Sequence, residues 1–176
     1  MRSCHSHELS GDDREVLRDF LVTAFDGDFG DADFDHAIGG VHVLAGAADR
    51  LVGHASVVQR QLILGDEVLR TGYVEAVAVD AAMRRQGIGD ALMTHVEGIV
   101  RRAYEFGALG ASDDGRALYL RHGWEPWEGQ LGALAPDGVR PTPDEEGHVF
   151  ILRTPVRPDV DLSARLLCDW RRGEVW

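Results

Sequence analysis

At 176 residues and 19.3 kDa the chain fits one domain, and its 44% hydrophobic content is that of a globular protein. A formal net charge of −12 argues against nucleic acid as the main partner and favours a cationic one. All 18 basic residues are arginine, so P-loop nucleotide hydrolysis and Schiff-base chemistry, both of which need a lysine, are excluded. Asparagine is absent too, so there is no N-glycosylation site. Cys4 and Cys168 form no CxxC, and His36, His42, His54, His95, His122 and His148 show no ligand spacing, so neither a disulfide nor a metal is expected. No apolar run approaches the ~20 residues of a membrane span, and the first ten residues lack an apolar leader core. A cytoplasmic location is therefore expected.

A short strand is predicted over 3–8. Ser10 then reads as the cap of a helix carrying Val16, Phe20, Leu21 and Ala24 at helical spacing and ending near Gly27. Asp26, Asp28, Asp31, Asp33 and Asp35 put five carboxylates into ten residues. Such a segment is either a solvated loop or the rim of a cation-binding cleft. Gly39-Gly40 marks a turn into strands at 41–47, 51–63 and 67–79, separated by Ala48-Asp49-Arg50 and Gly65-Asp66 and expected to form an antiparallel meander. A helix is predicted over 86–106 with an apolar stripe of Ile88, Leu92, Val96, Ile99 and Ala103. A strand at 108–111, a helix at 113–121 ended by Gly123, a Gly/Pro-rich loop over 129–147, a strand at 148–153 and a tail follow.

The stretch from Tyr73 to Met93 carries the most chemistry. A strand runs into the turn Arg84-Arg85-Gln86-Gly87-Ile88-Gly89, which opens a helix. N–H groups at a helix start lack intrahelical partners and the helix dipole adds positive charge, so the turn suits a pyrophosphate; the plain alternative is a capped helix. Period two puts Tyr73, Glu75, Val77 and Val79 on one face, and Val74, Ala76 and Ala78 on the other. Glu75 is the only charge between Gly72 and Val79. It is either paired internally with an arginine or placed to take a proton from an amine, through a water. His54 is the alternative base. Tyr119 is a candidate acid for a departing thiolate, and otherwise a packing tyrosine.

The spacing Arg84-x-x-Gly87-x-Gly89 after a meander resembles the acetyl-CoA loop of the GNAT acetyltransferase superfamily. Ala117-Leu118-Tyr119 with Gly123-Trp124 resembles its second motif. The resemblance implies an α/β chain of α+β type: one domain over 1–176, with a mixed, mostly antiparallel sheet of about six to seven strands, flanked by helices and splayed at the acetyl-CoA site. Further segments resemble the aminoglycoside 2'-N-acetyltransferases. They include Asp26-Gly27-Asp28-Phe29, Gly72–Val79, Leu134-Ala135-Pro136, Thr142–Gly147 and Cys168–Trp176.

That resemblance implies N-acetylation of the 2'-amine by direct attack in a ternary complex, antibiotic resistance, and a homodimer. Val77, Ala78, Val79 and Arg84–Gly89 (Arg84, Arg85, Gln86, Gly87, Ile88, Gly89) would hold acetyl-CoA. Asp28, Asp33, Glu75, Ala76, Asp144, Glu145 and the Trp176 carboxylate would hold the cationic aminoglycoside, with Glu75 as base and Tyr119 as acid. Glu145 stands where the family is expected to carry aspartate. The competing expectations are the same fold acting on a polyamine, another amino sugar or a peptide N-terminus, or a non-catalytic acyl-CoA-binding module.

Overall fold

The computed structural model describes residues 1–47 and 50–176; the turn expected at Ala48-Asp49-Arg50 falls on Ala48 and Asp49, outside the described residues. Two compact units emerge, Met1–Val58 with Val74–Val96 and Gln59–Tyr73 with Glu97–Trp176. Strands β3 (Arg50–Leu64) and β4 (Glu67–Val79) contribute to both.

In the first unit β1 (Arg2–His5) pairs antiparallel with β2 (Val41–Ala47), which pairs antiparallel with the first half of β3. The strand expected over 3–8 stops at His5 and becomes a 3-10 turn at Ser6–Glu8, where the Glu8 carboxylate accepts the His5 N–H at 2.6 Å. Helix α1 (Gly11–Ala24) starts as Ser10 predicts: Ser10 Oγ accepts the Asp13 N–H at 3.1 Å and Asp13 returns the bond. Its buried face is Leu17 and Leu21, packed with Cys4, Leu9, Leu44 and Ala78; Val16, placed in the stripe by spacing, is exposed. Burying each such leucine contributes roughly 1.5–3 kcal/mol.

The acidic segment is not a loop throughout. Residues Asp31–Ala37 form helix α2, because Asp33 Oδ2 accepts the Gly30 N–H at 2.7 Å and Asp31 and Asp33 sit in its electropositive first turn. Asp31 also pairs with Arg18. The local repulsion that suggested an unstructured connector is thus offset by the helix dipole and an arginine.

Helix α3 (Ile88–Ala103) is shorter than predicted at both ends. Its buried positions are Leu92, Met93, Val96 and Val100, while Ile99 is only partly buried and Ala103 is exposed.

In the second unit the strand order is β6-β9-β5-β4-β3-β10-β7-β8, with β5 at Phe106–Gly110, β6 at Glu125–Pro126, β7 at Leu131–Ala135, β8 at Gly138–Pro141, β9 at Val149–Arg153 and β10 at Leu166–Asp169. The β4–β5 and β10–β7 registers are parallel, and the others described are antiparallel. This is the mixed, mostly antiparallel sheet expected of α+β architecture, extended by short strands. The parallel register of β4 with β5 covers only Thr71–Tyr73.

The stretch predicted as a long loop holds the β7–β8 hairpin and a 3-10 turn at Pro143–Glu145. Pro136-Asp137-Gly138, a turn signal between apolar runs, announces that hairpin. β10 arises inside the predicted tail, as an apolar run that pairs with both β3 and β7. Helix α4 (Asp113–Arg121) spans the predicted range and is capped by Ser112. Among the described residues no helix is long and apolar enough to cross a membrane.

Candidate active site

The first unit carries Asp28, Asp33, Glu75, Ala76, Val77–Val79 and Arg84–Gly89. Where β4 ends, Asp80 accepts the Ala82 N–H at 2.9 Å and Arg50 Nη1–H at 2.7 Å, fixing a 3-10 turn over Ala81–Met83. The Arg50 hydrogen bond holds the Asp80 carboxyl below its ordinary pKa. Arg84 then turns inward: its Nε–H donates to the Val79 carbonyl and an Nη2–H to the Ala24 carbonyl, both at 3.3 Å. Its side chain thus staples the turn to β4 and to the C-terminal end of α1. Arg85 is exposed beside it, with no such carbonyl contact from its guanidinium among the described residues, and the main-chain groups of the turn follow.

Those groups are available by the helix rule. Ala91 N–H reaches the Gly87 carbonyl at 3.0 Å, so the N–H groups of Gly87, Ile88 and Gly89 precede the α3 ladder. Gly87 has φ +81 with open space where a Cβ would stand, so it is glycine for its backbone conformation. This cradle of main-chain donors beside Arg85 fits a pyrophosphate.

Among the described residues the non-glycine positions with positive φ are Asp26 (φ 56), Ala76 (φ 50) and Arg85 (φ 60). Each lies in or beside a segment predicted to bind ligand. Such strain, about 1–3 kcal/mol per residue, persists where surrounding structure holds it and concentrates at ligand clamps.

On β4, Val74 and Ala78 are buried, and Glu75, Ala76 and Val77 are half-buried in succession. The strict alternation predicted from period two therefore fails at Ala76, where the left-handed residue interrupts the pleat. Two β3 side chains grip this point: Ser56 Oγ donates to the Glu75 carbonyl at 3.4 Å, and His54 Nδ1 bonds the Ala76 carbonyl at 2.8 Å. His54 Nε2 in turn meets His42 Nδ1 at 2.9 Å. With both ring nitrogens engaged and no exposure, His54 is not placed to act as the base. Burial lowers the pKa of His54 to about 3 and of His42 to about 4, so both are neutral at neutral pH.

Asp28 is exposed on the connection between α1 and α2. Asp33 spends one carboxylate oxygen on the Gly30 N–H.

The second unit carries Tyr119, Asp144, Glu145 and Trp176. Tyr119 is 6% exposed, with ring centroids 6.5 Å from Trp124 and 6.2 Å from Phe150. Trp124 is pinned by its Nε1–H to Glu97 Oε1 at 3.1 Å, and His122 meets the same oxygen at 2.9 Å. Burial pushes the Tyr119 phenol up to about 12, so it is a proton donor, not an anion, at neutral pH.

Asp144 and Glu145 lie on the Pro143–Glu145 turn, and Trp176 Nε1–H donates to Thr142 Oγ1 at 2.8 Å just before it. Burial, followed by the neighbouring Glu174, raises the Glu145 pKa. These carboxyls form a cluster that a cation would relieve. Arg171 folds the tail: Nε–H donates to the Glu174 carbonyl at 2.9 Å and Nη2–H to the Trp176 main-chain oxygen at 2.7 Å. Its guanidinium stacks over the Tyr73 ring at 5.4 Å, which Arg60 covers at 4.6 Å. Gly110 lies beside this end: a Cβ there would stand in ordinary van der Waals contact, 3.6 Å from the Trp176 carbonyl carbon and from Tyr73 Oη.

Sequence reasoning joined neither Arg171 to Tyr73, nor Thr142 to Trp176, nor His42 to His54, because nothing along the chain marks them as neighbours. Among the described residues no group of three His, Cys, Asp or Glu is placed to hold a metal ion. Cys4 and Cys168 are free and buried.

An aminoglycoside 2'-N-acetyltransferase of Mycolicibacterium fortuitum is 45% identical over 177 residues, covering 99% of this chain and 91% of its own. Among solved structures, Escherichia coli ElaA superposes with a TM-score of 0.60 at 20% identity, covering 85% of this chain and 96% of its own. An aminoglycoside 6'-N-acetyltransferase complexed with coenzyme A gives a TM-score of 0.60 at 16% identity, covering 92% and 100%. These two similarities establish the fold. Acetyl-CoA is the family's acyl donor. The acetyltransferase (GNAT) profile matches residues 9–124, and the chain belongs to that family.

Proposed function

We propose that the chain acetylates the 2'-amine of aminoglycosides by direct attack on acetyl-CoA, without an acyl-enzyme, and that residues 1–176 work as one catalytic domain. The observation that carries the substrate is the 45% identity, across 99% of the chain, to an aminoglycoside 2'-N-acetyltransferase. The acidic turn at Asp144–Glu145, with Glu145 destabilised as an anion by burial and Glu174, supports a polycationic ligand. The same resemblance in sequence supports a cytoplasmic homodimer with a role in antibiotic resistance.

When bound, acetyl-CoA supplies an activated acetyl thioester. The N–H groups from Gly87 onward and the Arg85 guanidinium hold the pyrophosphate, and Arg84, Gln86, Ile88 and Gly89 complete the loop. The main chain of Val77, Ala78 and Val79 holds the pantetheine arm, with the Val77 N–H meeting the thioester carbonyl. Asp28, Asp33, Ala76, Asp144, Glu145 and the Trp176 main-chain oxygen hold the amines and hydroxyls of the substrate. An amine arrives protonated at neutral pH; Glu75 accepts that proton through a water. Tyr119 holds a proton for the departing sulfur.

The test is thiol release from acetyl-CoA with a panel of aminoglycosides that have or lack a free 2'-amine, plus spermidine. Release confined to compounds with a free 2'-amine is expected. Equal release with spermidine, or with aminoglycosides lacking that amine, would overturn the substrate assignment.

A further inference from the structure

A buried hydrogen-bond chain crosses the first unit from the Gly39 turn to the kink in β4. The Gly39 N–H reaches Ser6 Oγ at 2.8 Å, Ser6 Oγ meets His42 Nε2 at 2.8 Å, His42 Nδ1 meets His54 Nε2 at 2.9 Å, and His54 Nδ1 meets the Ala76 carbonyl at 2.8 Å. Ser6 is 3% exposed and both histidines 0%. Three polar side chains in such a place are costly unless each bond is satisfied in a consistent direction.

Only one direction works. A carbonyl only accepts, so His54 carries its proton on Nδ1 and leaves Nε2 as acceptor. His42 must then donate from Nδ1, which leaves its Nε2 as acceptor. Ser6, already accepting from Gly39, supplies the hydroxyl proton to that nitrogen, with the Gly40 carbonyl 3.1 Å away as its alternative acceptor. The chain is thus a one-way line of donors ending on Ala76.

What it ends on is a strained point. Ala76 has φ +50, a conformation an L side chain resists, so some external contact must hold it. The described residues contain no cis peptide bond. In the planar trans Ala76–Val77 peptide the C=O and the following N–H point in opposite directions. A carbonyl held on the His54 ring therefore aims the Val77 N–H away from that ring. We propose that His54, oriented by His42 and Ser6, is a positioning residue that aims the Val77 N–H at the thioester carbonyl of the acetyl donor. This rests on the donor geometry given above. It also gives a use to two buried histidines that neither accept a substrate proton nor bind metal.

The test reads the donor directly and needs no amine. Acetyl-CoA labelled with 13C at the thioester carbonyl is bound to the protein, and its carbonyl stretch is recorded by isotope-edited infrared difference spectroscopy. The native chain should shift the band to lower frequency than in solution, because a preorganised N–H polarises it. His54→Phe keeps a ring but removes the donor. It should abolish the shift and lower kcat roughly 10²-fold, the low end of the cost of losing one such donor, while coenzyme A affinity stays within about twofold, since the Gly87–Gly89 cradle is untouched. His54→Asn, whose amide N–H stands near the place of Nδ1, should restore most of the shift.

An unchanged band in His54→Phe that binds coenzyme A normally would overturn the proposal. No shift in the native chain would instead overturn the Val77 geometry on which it rests, and the proposal with it. Failure of the aminoglycoside panel would leave this spectroscopic result standing. A measurement without any variant guards against loss of folding in His54→Phe: 15N chemical shifts of His54 in the native protein should report the Nδ1–H tautomer, and the Nε2–H tautomer would overturn the proposal.

Discussion

Replacing Tyr119 by Phe tests the assignment of the acid with little disturbance to the fold. The ring contacts with Trp124 and Phe150 survive, and so does the main chain of α4, so thermal stability should stay within a few degrees. The phenol sits at about 12 because it is buried. At pH 7 roughly one molecule in 10⁵ carries the phenolate, so the hydroxyl is a full donor across any practical assay range. A thiol such as that of coenzyme A has a pKa near ~8.5, well below the phenol, so the proton is useful only while the carbon–sulfur bond is breaking, in the manner of general acid catalysis worth about 10²–10⁴.

Tyr119→Phe should therefore lower kcat by roughly 10²–10³, about 3–4 kcal/mol, with coenzyme A affinity unchanged. Steady-state kinetics by thiol release and calorimetric titration with coenzyme A separate the two. The native kcat should also show no falling limb assignable to Tyr119 below about pH 10. A kcat within threefold of native would make Tyr119 a packing residue of the Trp124–Phe150 cluster. A phenol raised from 10 to about 12 keeps its proton longer folded than unfolded, so its contribution to stability is intact below pH 10 and is lost as pH rises from 10 to 12.

Other perturbations address the remaining parts. Gly87→Ala meets no atom but forces an L residue to φ +81, at about 1–2 kcal/mol, so coenzyme A affinity should fall about 5- to 30-fold by calorimetry; unchanged affinity would remove Gly87 from the cradle. Arg171→Ala removes the donors to Glu174 and Trp176, and should raise the aminoglycoside KM roughly tenfold, worth about 1.4 kcal/mol, without altering coenzyme A binding; an unaltered KM would show that the tail does not shape the amine site. Burial pushes the Cys168 thiol up to about 11 and raises that of Cys4, so Ellman's reagent at pH 8 should label neither in the folded protein and both in denaturant. Because His42 and His54 have lowered pKa values, the unfolded chain binds more protons below 6.5. Stability should therefore fall as pH drops from 6.5 towards 4, by on the order of 1.4 kcal/mol per pH unit for each histidine, as read by denaturant titration.

The sequence by itself determined the parts whose physics is local. Ser10 and Ser112 cap their helices through side chains that reach only three residues ahead. The Arg84–Gly89 turn opens α3 because helix-start N–H groups and a left-handed glycine are properties of one short segment. Absence of lysine excluded whole reaction classes before any coordinate was needed. Local pattern failed where a contact from outside the segment decided the outcome. Arg18 of α1 pairs with Asp31 in the repulsive acidic run, and partners on both sides turn the apolar run at 166–169 into β10. Period two along β4 breaks at Ala76, a residue that has no reason of its own to turn left-handed.

Arg84 likewise reads as a phosphate ligand from its motif, yet its guanidinium goes to the carbonyls of Val79 and Ala24. The Arg171–Trp176 hold on the tail and the Ser6–His42–His54 chain join residues up to dozens of positions apart. Only tertiary structure brings such groups together, because burial is what makes their hydrogen bonds obligatory and what lowers or raises their pKa values. The chain wrote the Arg84–Gly89 loop in consecutive residues, whereas the Ser6–His42–His54 chain that ends on the Ala76 carbonyl exists only once three separate strands and turns have packed.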